Sequence, residues 1–213
     1  MTNDEQPNES EDELRRRAEE SFNTGATAFR RGDCSEALSS FENALVLYQG
    51  VTDAERDQAD CLSNSGVALG ESGDLRGALE RFDQALAFYQ GLPGTERDQA
   101  SCLYNSGIAL RKSGDLRGAL ERYERALALY RGIPGAERDQ ASCLYNSGIA
   151  LGESGDWRGA LERYERALAL HRKLPGTERN QANCLYNSGN ALDELGDWRG
   201  ALERYERALA LHR

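Results

Sequence analysis

The sequence predicts an all-α solenoid of five stacked helix–turn–helix hairpins, and three observations predict it. The hexapeptide Cys-Leu-Tyr-Asn-Ser-Gly starts at Cys102, Cys143 and Cys184, with a variant at Cys61, always 41 residues apart. A fixed period of this size is the mark of stacked repeats. Between these landmarks the apolar residues recur at helical spacing, i, i+3, i+4 and i+7, and not in alternation. Two columns run through every copy: Gly25, Gly66, Gly107, Gly148 and Gly189, and Asn23, Asn64, Asn105, Asn146 and Asn187.

Residues 1–12 are polar, acidic and aperiodic, and read as a disordered tail. The array follows over 13–213, with copies at about 14–54, 55–95, 96–136, 137–177 and 178–213. The third copy shows how each is built. Pro93-Gly94 breaks the preceding helix, and Thr95-Glu96-Arg97-Asp98 opens a new one, with Thr95 as N-cap and acids in the first turn. Ala100, Leu103, Tyr104, Gly107, Ile108 and Leu110 carry the helical period to about Ser113. Gly114 suits a left-handed C′ position and Asp115 the next N-cap. The second helix runs from Leu116 to about Arg131, with its stripe at Leu116, Ala119, Leu120, Tyr123, Ala126, Leu127 and Tyr130. Arg117, Glu121 and Arg125 line its outer face at i, i+4 spacing. One hairpin cannot bury both faces alone; stacking on neighbours does. The first copy departs most, with Phe22, Ala26 and Phe29 in altered columns and Cys34 beside its turn, and reads as an N-terminal cap.

Charged residues make up 29% of the 213, and the mean hydropathy is −0.70. Because the apolar residues are periodic, the polar ones read as a solvated face. The formal charge is −10, and residues 1–20, with eight acids against three arginines, hold −5 of it. A phosphate-backbone binder needs a basic patch or stripe, so no nucleic-acid partner is expected. The N-terminus lacks a signal-peptide apolar region, and no run of 18 apolar residues exists, so neither export nor a membrane partner is expected. Four of the five cysteines form one repeat column, Cys61, Cys102, Cys143 and Cys184. Adjacent copies lie at least a helix-packing distance apart, about 8–10 Å, beyond the roughly 7 Å a disulfide spans. They read as small buried hydrophobes in a reducing, cytoplasmic setting.

Aligned on Gly107, the residues Leu103, Gly107, Leu110, Ala119, Tyr123 and Ala126 resemble the tetratricopeptide repeat. The same columns recur as Gly148, Ala160, Tyr164 and Ala167, and as Gly189, Ala201, Tyr205 and Ala208. The resemblance covers residues 14–213. The period departs from the usual 34, with the extra residues falling at Pro-Gly-x-Glu-Arg-Asp, and the late proline is displaced to Pro93, Pro134 and Pro175. In this the array is similar to the long repeats of kinesin light chain and of bacterial regulators. The resemblance implies a right-handed superhelical solenoid whose first helices line a concave, peptide-binding surface.

Carried onto this chain, the groove positions are Tyr104, Asn105, Ile108, Arg111 and Lys112. The next copy places Tyr145, Asn146, Ile149, Gly152 and Glu153 there, and the fifth Tyr186, Asn187, Asn190, Asp193 and Glu194. Asn64, Asn105, Asn146 and Asn187 have two readings: a grip on a peptide backbone, which Asn can donate to and accept from at once, or a hydrogen bond to the neighbouring hairpin. Arg111 and Lys112 read either as a carboxylate-attracting pair or as solvated charges at a helix end. Trp157 and Trp198, where Leu116 and Leu75 stand in other copies, read as packing or as ligand-stacking residues.

Catalysis is not expected. His171 and His212 stand one repeat apart in the column of Tyr130, as packing substitutions and not as a metal or catalytic constellation, and no phosphate loop is present. No cofactor is expected. The expected function is a non-catalytic protein- or peptide-binding scaffold. Two alternatives stand beside it. The sequence stops after a second helix, leaving Leu202, Tyr205 and Leu209 as an apolar face for a partner or a second copy stacked head to tail. Or the array is the sensor segment of a larger signalling or protease protein.

Overall fold

A computed structural model describes residues 10–211. These form ten α-helices, and among the described residues there is no strand. The helices divide into two compact units. The first, up to Thr95, holds α1 (Glu11–Arg30), α2 (Cys34–Tyr48), α3 (Glu55–Ser72) and α4 (Leu75–Gln90). The second, from Glu96, holds α5 (Glu96–Lys112), α6 (Leu116–Arg131), α7 (Glu137–Glu153), α8 (Trp157–His171), α9 (Glu178–Glu194) and α10 (Trp198–Ala210). Within each unit every helix packs on the one before and the one after, so hairpin follows hairpin.

Helix α1 starts at Glu11 with Ser10 as its N-cap, the Ser10 hydroxyl accepting from the Glu13 amide at 3.3 Å. The helical array therefore reaches slightly further toward the N-terminus than the boundary at 13. The rest of the expected tail, residues 1–9, lies outside the described residues, as do His212 and Arg213.

The turn inside each hairpin follows the predicted chemistry. Asp115 and Asp156 cap α6 and α8, their Oδ1 atoms accepting from the amides of Gly118 and Gly159 at 2.9 Å. Gly155 precedes the second cap at φ +85°, a conformation that costs a residue with a Cβ about 1–2 kcal/mol. The threonines between hairpins also bond backward. The Thr95 hydroxyl donates backward, to the carbonyls of Tyr89 and Leu92, and Thr177 does the same with His171 and Leu174. Thr177 makes no side-chain cap to α9. Both threonines are buried, where a hydroxyl without a partner is expensive; the carbonyls left open at the end of the previous helix are the nearest acceptors.

The cores sit between the paired helices. A Cβ on Gly107 would stand 2.5 Å from Tyr123, so glycine lets the aromatic ring lie flat against α5. Tyr123 is fully buried, as are Ala119 and Ala126 where the helices cross. A buried aromatic of this kind covers roughly 150–250 Å², about 4–6 kcal/mol of transfer energy before ordering entropy is set against it. The column cysteines Cys61, Cys102, Cys143 and Cys184 are buried free thiols, and burial pushes Cys143 up to about 12. Ion pairs join successive hairpins: Glu42 with Arg81 in the first unit, Glu124 with Arg163 and Glu165 with Arg204 in the second. Exposed pairs of this kind contribute about 0–1 kcal/mol each. No helix among the described residues is long and apolar enough to cross a membrane.

Candidate functional site

In the second unit the first helices α5, α7 and α9 present the tyrosine and asparagine columns on one face, and the two columns are joined. Asn146 Nδ2 donates to the Tyr104 hydroxyl at 2.9 Å and also to the Ser142 carbonyl at 3.0 Å. Asn187 Nδ2 donates to the Tyr145 hydroxyl at 2.8 Å. Each asparagine thus reaches the hairpin before its own, along a ladder of Tyr-to-Asn rungs. Each tyrosine also lies against the aromatic of its own second helix: Tyr104 on Tyr123, Tyr145 on Tyr164 and Tyr186 on Tyr205, with centroids 5.6–6.0 Å apart. Tyr186 is the exposed member. In the first unit Asn64 bonds within its own helix, to the Asp60 carbonyl at 2.8 Å. Asn105 sits half-buried on α5 beside Tyr104.

Arg111 and Lys112 do not form an open basic pair. Arg111 Nη1 is 2.7 Å from Glu153 Oε1 on the next hairpin, and its side chain is only 21% exposed. A ligand carboxylate here would have to displace Glu153. The Arg111 charge also opposes the upward push that burial puts on the Tyr123 hydroxyl. Lys112 is exposed at the end of α5.

Two cavities open beside the fourth hairpin, one of them where it meets the fifth and the other reaching from the third to the fifth. The larger, about 470 Å³, is lined by Ile149, Gly152 and Glu153 of α7, Trp157 and Tyr164 of α8, and Asn187, Asn190, Asp193 and Glu194 of α9. That volume lies in the range of small-ligand pockets, about 300–1,000 Å³. Its rim carries three carboxylates and its wall an indole. The Tyr205 hydroxyl donates to Asn190 Oδ1 at 2.9 Å and fixes that side chain.

The smaller cavity, about 230 Å³, is lined by Tyr104, Ser142, Tyr145, Asn146, His171, Asn180 and Asn183. Its origin lies in one column. Tyr89 reaches back to Asp60 and Tyr130 to Ser101, at 2.5 and 3.0 Å, each 29 residues earlier. His171 is shorter than tyrosine; it stays 2% exposed, and its Nδ1 is buried without a partner. Burial, and secondarily the Arg138 charge, lower its pKa below the ordinary histidine value. His171 was expected as a packing substitution. It is packed, and it also leaves a polar hollow, a consequence that the Tyr130/His171 difference signals only once the Ser101 contact is known.

At the outer surface of α10, Leu202 and Leu209 are each 58% exposed and Trp198 is 74% exposed. Tyr205 differs from the open apolar residue expected there: it is half-buried, held by Tyr186 and Asn190.

Stacked helical hairpins with repeating side-chain columns on their first helices define a helical-repeat scaffold. The chain belongs to the tetratricopeptide repeat family, whose model matches residues 18–91, 62–132, 98–172 and 139–213. Comparison with curated proteins gives no match. Among solved structures, BtubC (BKLC) from P. vanneervenii is similar at TM-score 0.80 and 21% identity, over 95% of this chain and 89% of that one. The nearly identical TPR-like repeats of a kinesin light chain-like protein from Podosopora anserina align at TM-score 0.74 and 17% identity, over 96% and 97%. MamA from Desulfovibrio magneticus RS-1 aligns at TM-score 0.71 and 21% identity, over 92% and 96%. At these identities the likeness shows the fold.

Proposed function

We propose that the chain is a non-catalytic scaffold that binds a protein or peptide along the face of α5, α7 and α9. One observation carries this reading. Cys102–Tyr130 and Cys143–His171 differ at four positions, Arg111/Gly152, Lys112/Glu153, Leu116/Trp157 and Tyr130/His171. All four residues of the later copy line one of the two cavities. In the fifth copy Asn180, Asn183, Asn190 and Asp193 replace Asp139, Ser142, Ile149 and Gly152, and these also line the cavities. The Gly107, Ala119, Tyr123 and Ala126 columns stay constant while the groove columns change, which is how a copied framework acquires a particular ligand. The ladder asparagines act here as structural rungs, with Tyr186, Asn190 and the cavity rims left to meet the partner. A displayed random-peptide library, selected on the wild-type chain, tests the reading. Binders are expected that lose binding to Ile149→Arg and keep it for the outer-face variant Arg117→Ala. Failure to enrich any, or binders indifferent to Ile149→Arg, would overturn it.

A second reading, head-to-tail association of copies, is favoured by the outer face of α10. Leu127 and Leu168 are 1% and 2% exposed beneath the next hairpin, whereas Leu209 in the same column is 58% exposed. Light scattering against concentration decides it. Association that Leu209→Lys abolishes supports it, and a monomer at every concentration removes it.

A further inference from the structure

The array carries an internal template for the occupant of its larger cavity. Where the third and fourth hairpins meet, Arg111 lies in the groove with its guanidinium on Glu153 at 2.7 Å and its stem largely covered. One period later the corresponding positions are Gly152, Glu194 and, in place of Tyr123, Tyr164. Gly152 supplies no side chain. The space is the cavity of about 470 Å³, and Glu194 stands on its rim with no arginine to meet it. Among the described residues neither Asp193 nor Glu194 has an ion-pair partner, in a chain whose other groove carboxylate, Glu153, has one. The remaining change at this place is Leu116 to Trp157, which sets an indole against Gly152; a Cβ there would meet its Cζ3 at 2.9 Å.

We propose that this cavity receives an arginine side chain from a bound peptide, its guanidinium taking the place beside Glu194 that Arg111 takes beside Glu153. The inference rests on the peptide-binding reading and names the residue that such a peptide presents. A guanidinium suits the site better than an ammonium. It is planar and matches carboxylates with two parallel N–H donors, and it stacks on an indole face. Glu194 and Asp193 supply the carboxylates and Trp157 the aromatic wall; Asn187 Nδ2 and Asn190 Oδ1 are taken up by Tyr145 and Tyr205, which leaves Asn187 Oδ1 and Asn190 Nδ2 for the flanking peptide groups. Free arginine carries the same guanidinium, but its α-carboxylate would approach Glu153, Asp193 and Glu194, so an amide-flanked arginine is the better fit.

The probe is acetyl-Ala-Ala-Arg-Ala-Ala-amide, titrated into the full chain while the side-chain amide signals of Asn187 and Asn190 are followed by NMR. Versions with Lys or Ala in place of Arg, and free arginine, run beside it. The arginine peptide is expected to move these signals with at least tenfold higher affinity than the alanine peptide, and more tightly than the lysine peptide or free arginine. Asp193→Asn with Glu194→Gln, both at exposed positions, is expected to weaken it at least tenfold. The double variant Gly152→Arg/Trp157→Leu rebuilds the arrangement of the preceding copy. It should fold with an unchanged or higher melting midpoint and no longer bind the peptide. Equal binding of the arginine and alanine peptides, or undiminished binding to that double variant, would overturn the inference and leave the scaffold reading standing. No shift with any of the peptides also overturns it, and the library selection then decides the scaffold reading separately.

Discussion

Asn187 Nδ2 lies 2.8 Å from the hydroxyl of Tyr145, one hairpin earlier, and Asn146 repeats the relationship with Tyr104 at 2.9 Å. An asparagine inside a helix is mildly unfavourable, and here the cost is offset by a bond that joins neighbouring hairpins. A neutral hydrogen bond of this kind contributes about 0.5–1.5 kcal/mol. Asn187→Ala and Tyr145→Phe are each expected to destabilise by about that much. In a double-mutant cycle followed by urea denaturation, the pair should show coupling of similar size. Additive effects would mean that the rung carries no energy. The companion variant Asn146→Ala should lower the melting midpoint likewise, in contrast to an asparagine kept only for a ligand.

His171 stands where Tyr130 bonds Ser101, and the imidazole leaves Nδ1 buried and unpartnered. His171→Tyr should restore the contact with Ser142, fill part of the 230 Å³ hollow and stabilise by about 1 kcal/mol. For a domain of this length that is a rise of about 2–4 °C in melting midpoint. The pH dependence has a definite sign. Burial lowers the folded-state pKa below the ordinary value of 6.5, with Arg138 adding to the shift. As pH falls through 6.5 the unfolded chain takes up a proton that the folded chain resists, so stability is lost on acidification and the loss is complete below the folded pKa. Between pH 8 and 5 the wild type should lose more stability than His171→Tyr. His212, common to both proteins, cancels in the comparison.

The framework was legible in the sequence because the residues that build it are held by local chemistry. Asp115 can cap because the next amides are already at hand, and Gly107 is small because Tyr123 must lie against it; both constraints recur every 41 residues and so appear as columns. The contacts along the face of α5, α7 and α9 were not legible in the same way. The Tyr104–Asn146 rung joins residues 42 apart, one more than the period, and nothing local marks it. Arg111 looked like half of a basic pair because Glu153, its partner, belongs to the following copy. The hollow beside His171 is a difference between two side-chain lengths, visible only when the hydroxyl that Tyr130 would supply has a known destination. Thr177 stands where a threonine N-cap would read from the sequence, yet its hydroxyl bonds back to His171 and Leu174 and makes no cap to α9.

Two glycines of one hairpin should respond oppositely to alanine. At Gly107 the added methyl would stand 2.5 Å from the fully buried Tyr123 ring, so backbone or ring must move. Overpacking of this kind costs about 1–3 kcal/mol. Gly132 closes α6 at φ −80°, an ordinary right-handed conformation, and the nearest atom to an added Cβ is 3.4 Å away. Gly132→Ala should be neutral, or stabilising by about 0.4–1 kcal/mol through the unfolded chain. Chemical denaturation of the two variants checks this, and a neutral Gly107→Ala would show that the aromatic column has slack.

Trp157 and Trp198 occupy the same column with different surroundings. Gly152 leaves room for the Trp157 ring, whereas Asp193 takes that position in the last hairpin and Trp198 is 74% exposed. Asp193→Gly should let the Trp198 indole settle on α9. A glycine within a helix costs about 1 kcal/mol, while covering roughly 100 Å² of indole returns about 2.5 kcal/mol. The net expectation is stabilisation by about 1.5 kcal/mol, less if the ring is covered from one side only. In a Trp157→Phe background, acrylamide quenching reads Trp198 alone, and Asp193→Gly should roughly halve it. Unchanged quenching would mean that Asp193 is not what keeps the Trp198 indole off the helix.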